Sequence, residues 1–466
     1  MGAKNVVVLG AGPAGLACSL TLARAGHRVT ILERDPAEMA SDPFQWERKG
    51  VPHFAQPHML IPRACKELRE CFPDVYELLL AEGASEIDLR PRLQAAEPTN
   101  VAQAGDDDLR YLAVRRAVLE GALRRAALSE PGIEIRFGTD VEGLVFDPGA
   151  VVGARTSHGD IPAQVVVDAL GRRSPIANWL DAGGYAPPSQ EHSPCGVIYY
   201  SRYYRVRPGM QLPGGPWLLG PRGDLGFMGY ATFPGDNDTF AALLSIPTDV
   251  PTLKVFKDAD VFDAAVAKIP ALARWVDPAL VEAITPVLPM AGLTNTLHRY
   301  GATRPSGLFS VGDAISHTDP TLAHGIAFLL IHARALTKAL ADHDEPHDAA
   351  TSFTAATETA LRERFTLATA VGAQRHRGWT GAGVDVAHHD GDYALFSVAA
   401  LGAAAMVDPM ALRIFVRRMG LLDSTEVFDC DIDLQLHVER VFAELLTRMP
   451  PVPGPSQADL LSIGTS

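Results

Sequence analysis

A glycine-rich segment near the start of the chain constrains the fold more than any other feature of the sequence. Gly10, Gly12 and Gly15 are spaced as Gly-x-Gly-x-x-Gly, and Pro13 and Ala14 separate the last two glycines. An apolar run precedes the segment and a helix-compatible stretch follows it. In such a unit the first glycine allows a tight turn, the second admits a pyrophosphate, and the third lets helix and strand pack. The segment therefore predicts a dinucleotide bound at a helix N-terminus.

The residues that follow this first helix strengthen the interpretation. A second apolar run, residues 28–32, ends at Glu33, and Arg34 comes directly after it. A carboxylate at this point can accept hydrogen bonds from the ribose hydroxyls of a dinucleotide. We therefore expect Glu33 and Arg34 to contact the cofactor. The strand–helix–strand order favours a parallel sheet of the Rossmann type.

Two later segments resemble motifs of the para-hydroxybenzoate hydroxylase superfamily of flavoprotein monooxygenases. Residues 165–174, which contain Asp168 and Gly171, resemble its DG motif, and residues 307–314, which contain Gly312 and Asp313, resemble its second FAD signature. The resemblance implies that the dinucleotide is FAD and that Asp313 contacts its ribityl chain or pyrophosphate. Asp168 and Gly171 would order the loop near the cofactor, although Asp168 is also typical of a turn that ends a strand.

The segment after Asp313 departs from the superfamily pattern at one position. The family has a proline followed by two spaced glycines, which place a helix N-terminus near flavin N1 and O2 and stabilise negative charge there. Pro320, Gly325 and Ile326 fit this pattern, whereas Ala323 replaces the first glycine. A small residue other than glycine is also known there from flavin-dependent halogenases. His324 is expected either near the flavin ring or as a polar residue at the helix N-terminus.

Residues 46–60 form a loop similar to one in squalene-epoxidase-like enzymes, including bacterial polyether epoxidases. That group has an Arg-Lys-Gly-Val-Pro-Gln stretch followed by two histidines; here His53 replaces the glutamine and His58 keeps a histidine position. The resemblance implies that Arg48 contacts a flavin phosphate, since guanidinium pairs bidentately with phosphate oxygens; an exposed loop charge is the alternative. His53, His58 and His324 are candidate catalytic residues, with backbone hydrogen bonding as the alternative for the first two. No metal site is predicted.

Two further segments supply candidate contacts. Arg116 and Leu119 are similar to an Arg-x-x-Leu helix that packs beside FAD in the superfamily, and Arg115 could fill the same role. If residues 199–205 form a strand, Tyr199 and Tyr203 share one face, since strand side chains alternate. That face is a candidate wall of an apolar substrate pocket. Cross-strand aromatic packing is the alternative.

The pattern along the chain predicts an α/β fold. A Rossmann-type FAD-binding domain of the para-hydroxybenzoate hydroxylase kind is expected in two parts, 1–183 and 301–341. An antiparallel-sheet substrate domain, 184–300, is inserted between them, and a helical region, 342–466, follows. Helices are predicted over 14–25, 64–83, 112–128 and 325–341, and strands of the inserted domain over 197–206, 224–233 and 240–246.

The family resemblance implies an FAD-dependent monooxygenase that epoxidises or hydroxylates a mostly apolar small molecule, in secondary metabolism, through a flavin C4a-hydroperoxide formed with O2. There is no second dinucleotide-binding unit, so NAD(P)H must bind transiently, or a separate flavin reductase must supply electrons. A flavin-dependent halogenase is the first alternative; the chain lacks the Trp-x-Trp-x-Ile-Pro motif of that group, and Lys49 is its candidate lysine. A geranylgeranyl-reductase-type oxidoreductase is the second alternative, and a non-enzymatic flavin-binding protein the third.

Charge and cysteine usage limit the partners. A formal net charge of −14 disfavours nucleic acid and anionic membranes. Five scattered cysteines, without a Cys-x-x-Cys pair, are typical of reduced thiols in a cytoplasmic protein, and the N-terminal residues do not form a signal-peptide pattern. Residues 410–419 are apolar and basic, which predicts a core helix, with membrane contact as the alternative. We expect a cytoplasmic protein without stable membrane insertion; the sequence leaves its oligomeric state open.

Overall fold

A five-stranded parallel sheet organises the first part of the molecule. The computed structural model describes residues 2–40, 42–48, 50–51, 53–96, 102–215, 218–301, 303–381, 400–448 and 454–465. In spatial order the strands are Leu308–Ser310, Val165–Asp168, Asn5–Leu9, Arg28–Glu33 and Ile133–Phe137. These strands are rich in valine, isoleucine and leucine because both faces of most of the sheet are covered. The predicted strand–helix–strand unit is confirmed.

Different layers cover the two faces of this sheet. Three helices pack on one face: Pro13–Arg24, Arg116–Ser129 and Gly325–Asp342. The other face carries the short helix Ile176–Ala182 and a three-stranded meander, Val141–Asp147, Ala150–Thr156 and Gly159–Pro162. The sheet thus lies between helices and a second sheet, and the carboxyl ends of its strands stay open to a ligand.

Two helix predictions need correction in the segment that joins strands Arg28–Glu33 and Ile133–Phe137. The helix predicted over 64–83 is two helices, Pro62–Cys71 and Pro73–Ala81, because Pro73 cannot continue the first. The helix predicted over 112–128 begins only at Arg116, since the apolar residues before it form a strand. That strand, Arg110–Ala113, pairs with Met59–Leu60 and Ser85–Asp88. Along the chain, helix Arg90–Ala96 comes between Ser85–Asp88 and Arg110–Ala113.

A large antiparallel sheet follows. Its strands, in order, are Arg222–Asp224, Gly229–Pro234, Thr239–Pro247, Val197–Val206 and Val281–Ala283, with Leu288–Met290 also paired to the fourth. The strand predicted over 224–233 is a hairpin, because residues 225–228 turn between two strands. Helices Ala259–Lys268 and Pro270–Ala273 cover one face. A small sheet of Ser189–Pro194, Thr294–Arg299 and Ser316–His317 connects this part to the parallel sheet.

The C-terminal region is helical, as predicted. Its helices are Pro346–Trp379, Pro409–Met419, Glu426–Asp429, Ile432–Arg448 and Gln457–Leu461. Short 3-10 helices across the chain are Asp106–Asp108, Gly171–Arg173, Pro251–Lys257, Gly312–Ala314, Pro320–Leu322 and Ser462–Thr465. Ala411, Leu412 and Val416 are buried, so the core-helix interpretation of residues 410–419 is confirmed. No helix in the described part of the chain is both long and apolar enough to span a bilayer.

A buried ion pair ties the antiparallel sheet to the parallel one. The Asp236 carboxylate accepts from Arg115 Nη2 at 2.5 Å and from the Arg115 backbone N–H at 2.8 Å, at the start of helix Arg116–Ser129. Both side chains are under 10% exposed. The guanidinium also lies 3.6 Å from the ring centroid of Phe44. Removing one charge from such a pair leaves its partner buried and uncompensated.

We therefore expect Asp236→Asn to lower the free energy of unfolding by about 3 kcal/mol, since Arg115 loses its counter-charge. Asp238→Asn is the matched control, because Asp238 is exposed and asparagine tolerates its positive φ. Urea denaturation of both variants measures the effect. Equal stabilities for the two variants would contradict the structural role of this ion pair.

Candidate functional site

One large cavity lies where the parallel sheet, the antiparallel sheet and the long C-terminal helix meet. Its volume is about 1080 Å³, and its walls include the glycine-rich loop, Glu33, Asp313 and the side chain of Tyr199. Ligand pockets in proteins commonly measure about 300–1,000 Å³. The space is therefore large enough for a cofactor together with a small molecule.

The first helix presents an uncapped N-terminus to this cavity. Helix Pro13–Arg24 begins after Gly12, no side chain caps it, and proline occupies its first position. Gly10, Gly12, Pro13 and Ala14 line the cavity, whereas Gly15 does not. A Cβ on Gly15 would lie 2.0 Å from the carbonyl oxygen of Gly10, so only glycine permits this turn. The free N–H groups and the positive helix end form a fitting cradle for a pyrophosphate.

Glu33 lies beside the glycine-rich loop, where it takes part in a network of charged side chains. Its Oε2 accepts from the backbone N–H of Ala11 at 2.8 Å and from Arg48 Nη2 at 2.6 Å. Arg48 Nε donates to Asp35 at 2.8 Å, and Arg48 Nη1 donates to Glu120 and to the Ala11 carbonyl. Arg48 lines the cavity, but every guanidinium nitrogen already has an acceptor. These contacts hold Glu33 in place, and a direct contact of Arg48 with a flavin phosphate stays a prediction, since one Nη2 hydrogen has no acceptor among the described residues.

Asp168 is not part of the cavity wall. Its fully buried carboxylate accepts from the Leu170 backbone N–H and from the hydroxyls of Ser174 and Ser310 at 2.8–3.2 Å. These bonds hold the turn that brings Gly171 to the cavity. Burial raises the pKa of Asp168 to about 6. Both sequence interpretations describe this geometry, since the residue ends a strand and orders the turn.

Asp313 lines the cavity beside His317, a histidine that the sequence did not single out. Asp313 Oδ2 lies 3.0 Å from His317 Nδ1. Burial alone would raise the pKa of Asp313, but the charge and hydrogen bond of His317 outweigh it and hold this pKa below its usual range. The other nitrogen, His317 Nε2, is buried and has no partner among the described residues. Gly312 is not in the wall; a Cβ there would meet Ala14 at 2.9 Å.

His53 and His58 both line the cavity near Arg116. His53 Nε2 accepts from Arg116 Nη1 at 2.7 Å, whereas His58 Nδ1 lies 2.8 Å from the Gln56 carbonyl. Burial and the charge of Arg116 lower the pKa of His53 to about 2 and that of His58 to about 4, so both rings are neutral at pH 7. Backbone bonding thus describes His58 but not His53. Within the described residues, no three His, Cys, Asp or Glu side chains are arranged to hold a metal ion.

The alternative between the two arginines at positions 115 and 116 is decided by geometry. Arg116 lines the cavity, whereas Arg115 pairs with Asp236. Arg34 also lines the cavity, beside Glu33. Contact of Arg34 and Arg116 with a cofactor stays a prediction.

A second uncapped helix N-terminus faces the cavity at Gly325. Ala323 has φ +55°, a left-handed conformation that glycine adopts more easily, which gives the physical reason for glycine at this point of the motif. His324 precedes the helix without capping it, and its Nε2 lies 3.1 Å from the Met419 carbonyl. His324 thus lies at the helix N-terminus, as one interpretation predicts, and lines the cavity; its proximity to a flavin ring stays a prediction. Pro320 and Ile326 also line the cavity.

Of the two predicted tyrosines, only Tyr199 reaches the cavity. Its hydroxyl donates to Asp319 at 2.6 Å, and Arg375 pairs with the same carboxylate at 2.6 Å. The prediction for Tyr203 is wrong, because its buried ring packs edge-on against Phe44 at 5.7 Å. Loop residues cover that end of the strand, which alternation alone does not reveal.

The long helix Pro346–Trp379 adds three wall residues that the sequence did not indicate. Arg364, Arg375 and Trp379 all line the cavity, and the Trp379 indole donates to Asp224 at 2.7 Å. The family motifs end before this helix, and its periodicity predicts burial without a binding partner. No sequence signal would have identified them.

Comparison with known proteins supports the N-terminal assignment. A family model described as pyridine nucleotide-disulphide oxidoreductase matches residues 4–111. The Mycobacterium tuberculosis protein Rv3254 is 26% identical over 366 residues, which cover 72% of this chain and 73% of that protein.

Solved structures extend the similarity across the chain. PqsL from Pseudomonas aeruginosa, described as a probable FAD-dependent monooxygenase, has a TM-score of 0.58 and 16% identity over 82% of this chain and 99% of its own. A variant of 2-methyl-3-hydroxypyridine-5-carboxylic acid oxygenase has a TM-score of 0.57 and 16% identity over 81% and 93%. A triple mutant of the flavin-dependent brominase Bmp2 has a TM-score of 0.59 and 18% identity over 96% and 100%. The chain has the fold of FAD-dependent oxidoreductases of the monooxygenase type.

Removal of the Glu33 carboxylate tests whether this residue binds the ribose of a dinucleotide. We expect Glu33→Ala to raise the dissociation constant for FAD at least about 10-fold, because a charged acceptor for ribose and the anchor of Ala11 are lost. Glu134→Ala, an exposed glutamate on the neighbouring strand, is the matched control and should leave FAD affinity unchanged. Fluorescence titration of the apoprotein with FAD measures both. Equal affinities would refute the assignment of Glu33.

The raised pKa of Asp168 predicts a pH dependence of stability. The pKa of an unfolded aspartate is about 3.9, so the folded protein holds this proton more tightly. The stabilisation is fully present below about pH 4 and is lost as pH rises through about 6. Asp168→Asn, which mimics the protonated carboxyl, should therefore gain stability relative to wild type over that range. Urea midpoints at several pH values test this, and a flat or opposite trend would contradict it.

Proposed function

We propose that this chain is an FAD-dependent monooxygenase that epoxidises or hydroxylates a mostly apolar small molecule. The observation that carries the proposal is the continuity of the cavity, which joins two uncapped helix N-termini to an apolar chamber. Monooxygenation needs a flavin and a dry, oriented substrate beside it, with few catalytic side chains. This single space supports both needs.

FAD would lie along the parallel-sheet side of the cavity. The N-terminus of helix Pro13–Arg24 would bind its pyrophosphate, Glu33 its ribose, and Asp313 its ribityl chain or pyrophosphate. When bound, FAD supplies the activation of O2, which no side chain provides. Arg48 holds Glu33 in place, and Asp168 holds the turn at Gly171. These residues bind and orient the cofactor without taking part in chemistry.

The chamber for the substrate lies against the antiparallel sheet. Apolar and aromatic side chains dominate this wall: Tyr230, Phe233, Leu243, Met290, Leu293 and Trp379. Such a surface excludes water and binds a molecule through apolar contact. It supports a mostly apolar substrate and the squalene-epoxidase-like subgroup that the loop at residues 46–60 indicates.

His317 is the side chain best arranged to move a proton in the cavity. When the ring is neutral, its contact with Asp313 keeps the single proton on Nδ1, which leaves Nε2 as an acceptor. That buried nitrogen could take the proton of a substrate hydroxyl and return it later. His53 and His58, neutral at pH 7, would position the molecules bound beside them.

A flavin-dependent halogenase is the second candidate. The similarity to the brominase covers 96% of this chain, more than the 82% covered by PqsL, and therefore extends further along the chain. Ala323 also fits this group. The candidate lysine, Lys49, lies outside the described residues. A flavin-dependent reductase that saturates an alkene is a third candidate, and product analysis separates all three.

The reaction can be assigned with probe substrates and isotopically labelled O2. FAD-loaded protein is supplied with NADH, NADPH or a flavin reductase system and is mixed with styrene or indole, with and without bromide. We expect one labelled oxygen atom in the product of at least one probe, because O2 is the oxygen source. Mass spectrometry reads the label. The electron donor that supports turnover distinguishes direct reduction from reduction by a partner.

Three outcomes would overturn the monooxygenase proposal. Brominated indole without labelled oxygen would favour the halogenase, and anaerobic saturation of styrene would favour the reductase. Conversion of all O2 to hydrogen peroxide with every probe would refute both oxygen insertion and halogenation. Leu243→Trp provides a control, since it fills the chamber and should reduce probe oxidation while FAD content stays unchanged.

A further inference from the structure

We propose that the Arg364 guanidinium adds a second positive group to the N-terminus of helix Gly325–Asp342, and that both face the negatively charged pyrimidine side of reduced FAD. The helix N-terminus is already implied by the family resemblance, and the contribution of Arg364 goes beyond it. The inference rests on the proposed function, since it requires FAD in the cavity. It assigns an electrostatic role to a residue of the helical C-terminal region, outside every FAD motif.

Arg364 is a buried cation without a carboxylate partner in the described part of the chain. It is 6% exposed and lines the cavity. Its Nε donates to Thr318 Oγ1 at 3.0 Å, and its guanidinium lies 4.9 Å from the ring centroid of Phe328. Among the described residues, neither Nη1 nor Nη2 has a hydrogen-bond acceptor or an ion-pair partner. These two nitrogens are available to a ligand.

The helix N-terminus adds positive charge at the same place. Helix Gly325–Asp342 has 18 residues, and no side chain caps its start. Its first N–H groups are therefore free, and the helix end carries about half a positive charge. Gly325 lines the cavity, and a Cβ built on it would lie 3.9 Å from Arg364 Nη2. The guanidinium and the first helical turn thus face one volume.

The charge of Asp313 acts on Arg364 through space, but no carboxylate in the described part of the chain contacts the guanidinium. Burial and the charge of Arg364 lower the pKa values of His324 and His332 to about 3, so both rings are neutral at pH 7. Asp313 is the carboxylate whose charge reaches Arg364, but its Oδ2 is engaged by His317. Burial lowers the pKa of Arg364 to about 10, and it stays protonated at neutral pH.

The two free guanidinium nitrogens lie in a buried wall, where unpaired donors are unfavourable unless a ligand supplies acceptors. Two-electron reduction of FAD with uptake of one proton leaves one negative charge, spread over N1 and the C2 oxygen of the pyrimidine ring. The planar guanidinium presents two parallel donors that suit two adjacent acceptors. Oxidised FAD has the same atoms without the charge. The site should therefore bind the reduced form more tightly than the oxidised form.

The test compares the dissociation constants of oxidised and dithionite-reduced FAD for the full-length protein. For wild type, reduced FAD should bind more tightly, which raises the midpoint potential above that of free FAD. Arg364→Met should weaken binding of reduced FAD about 30-fold, while binding of oxidised FAD changes less than about 3-fold. Arg364→Lys keeps the charge but loses the two parallel guanidinium donors. It should recover most of the difference in affinity between reduced and oxidised FAD.

Several results would overturn the inference. Equal losses for both redox forms would assign Arg364 a merely structural role. A midpoint potential at or below that of free FAD would refute the site with wild type alone, even if Arg364→Met fails to fold. Bromide binding that depends on Arg364, without an effect on the potential, would assign the site to a free halide. A wild-type protein that binds no FAD would instead refute the proposed function.

Discussion

Two helices begin at the cavity without a side chain to cap their first N–H groups, and the functional assignments depend on this constraint. Helix Pro13–Arg24 and helix Gly325–Asp342 both start beside the carboxyl end of the parallel sheet, where the strand order leaves space for a ligand. Unsatisfied donors and aligned dipoles favour negative charge at each end. A single dinucleotide with a phosphate group and an electron-rich ring can provide acceptors for both helix N-termini.

The charged residues around the cavity differ in how they are compensated. Arg48 is surrounded by three carboxylates and is held as part of the framework. Arg364 is equally buried, yet its free donors face the cavity. The same side chain is therefore structural in one place and ready for a ligand in the other. The difference comes from the partners that the fold brings near, since the intrinsic chemistry of arginine is identical at both positions.

The apolar wall from the antiparallel sheet completes this arrangement. Because the sheet is tied to the parallel-sheet domain by the buried Arg115–Asp236 pair, the wall has a fixed relation to the glycine-rich loop. Arg375 and Trp379 close the cavity from the C-terminal helix through bonds to Asp319 and Asp224. Three parts of the chain thus enclose one space, in which water can be excluded from a flavin and its substrate.

The sequence by itself determined the strand–helix–strand unit, the glycine positions and the placement of Glu33, because these depend on local backbone geometry and short spacings. It could not decide that three carboxylates would surround Arg48, that Tyr203 would pack against Phe44, or that Arg116 rather than Arg115 would reach the cavity. It gave no sign of His317, Arg364 or Trp379. Their roles arise from contacts between residues far apart in the chain, and helical or strand periodicity predicts which side chains are buried, not what they meet.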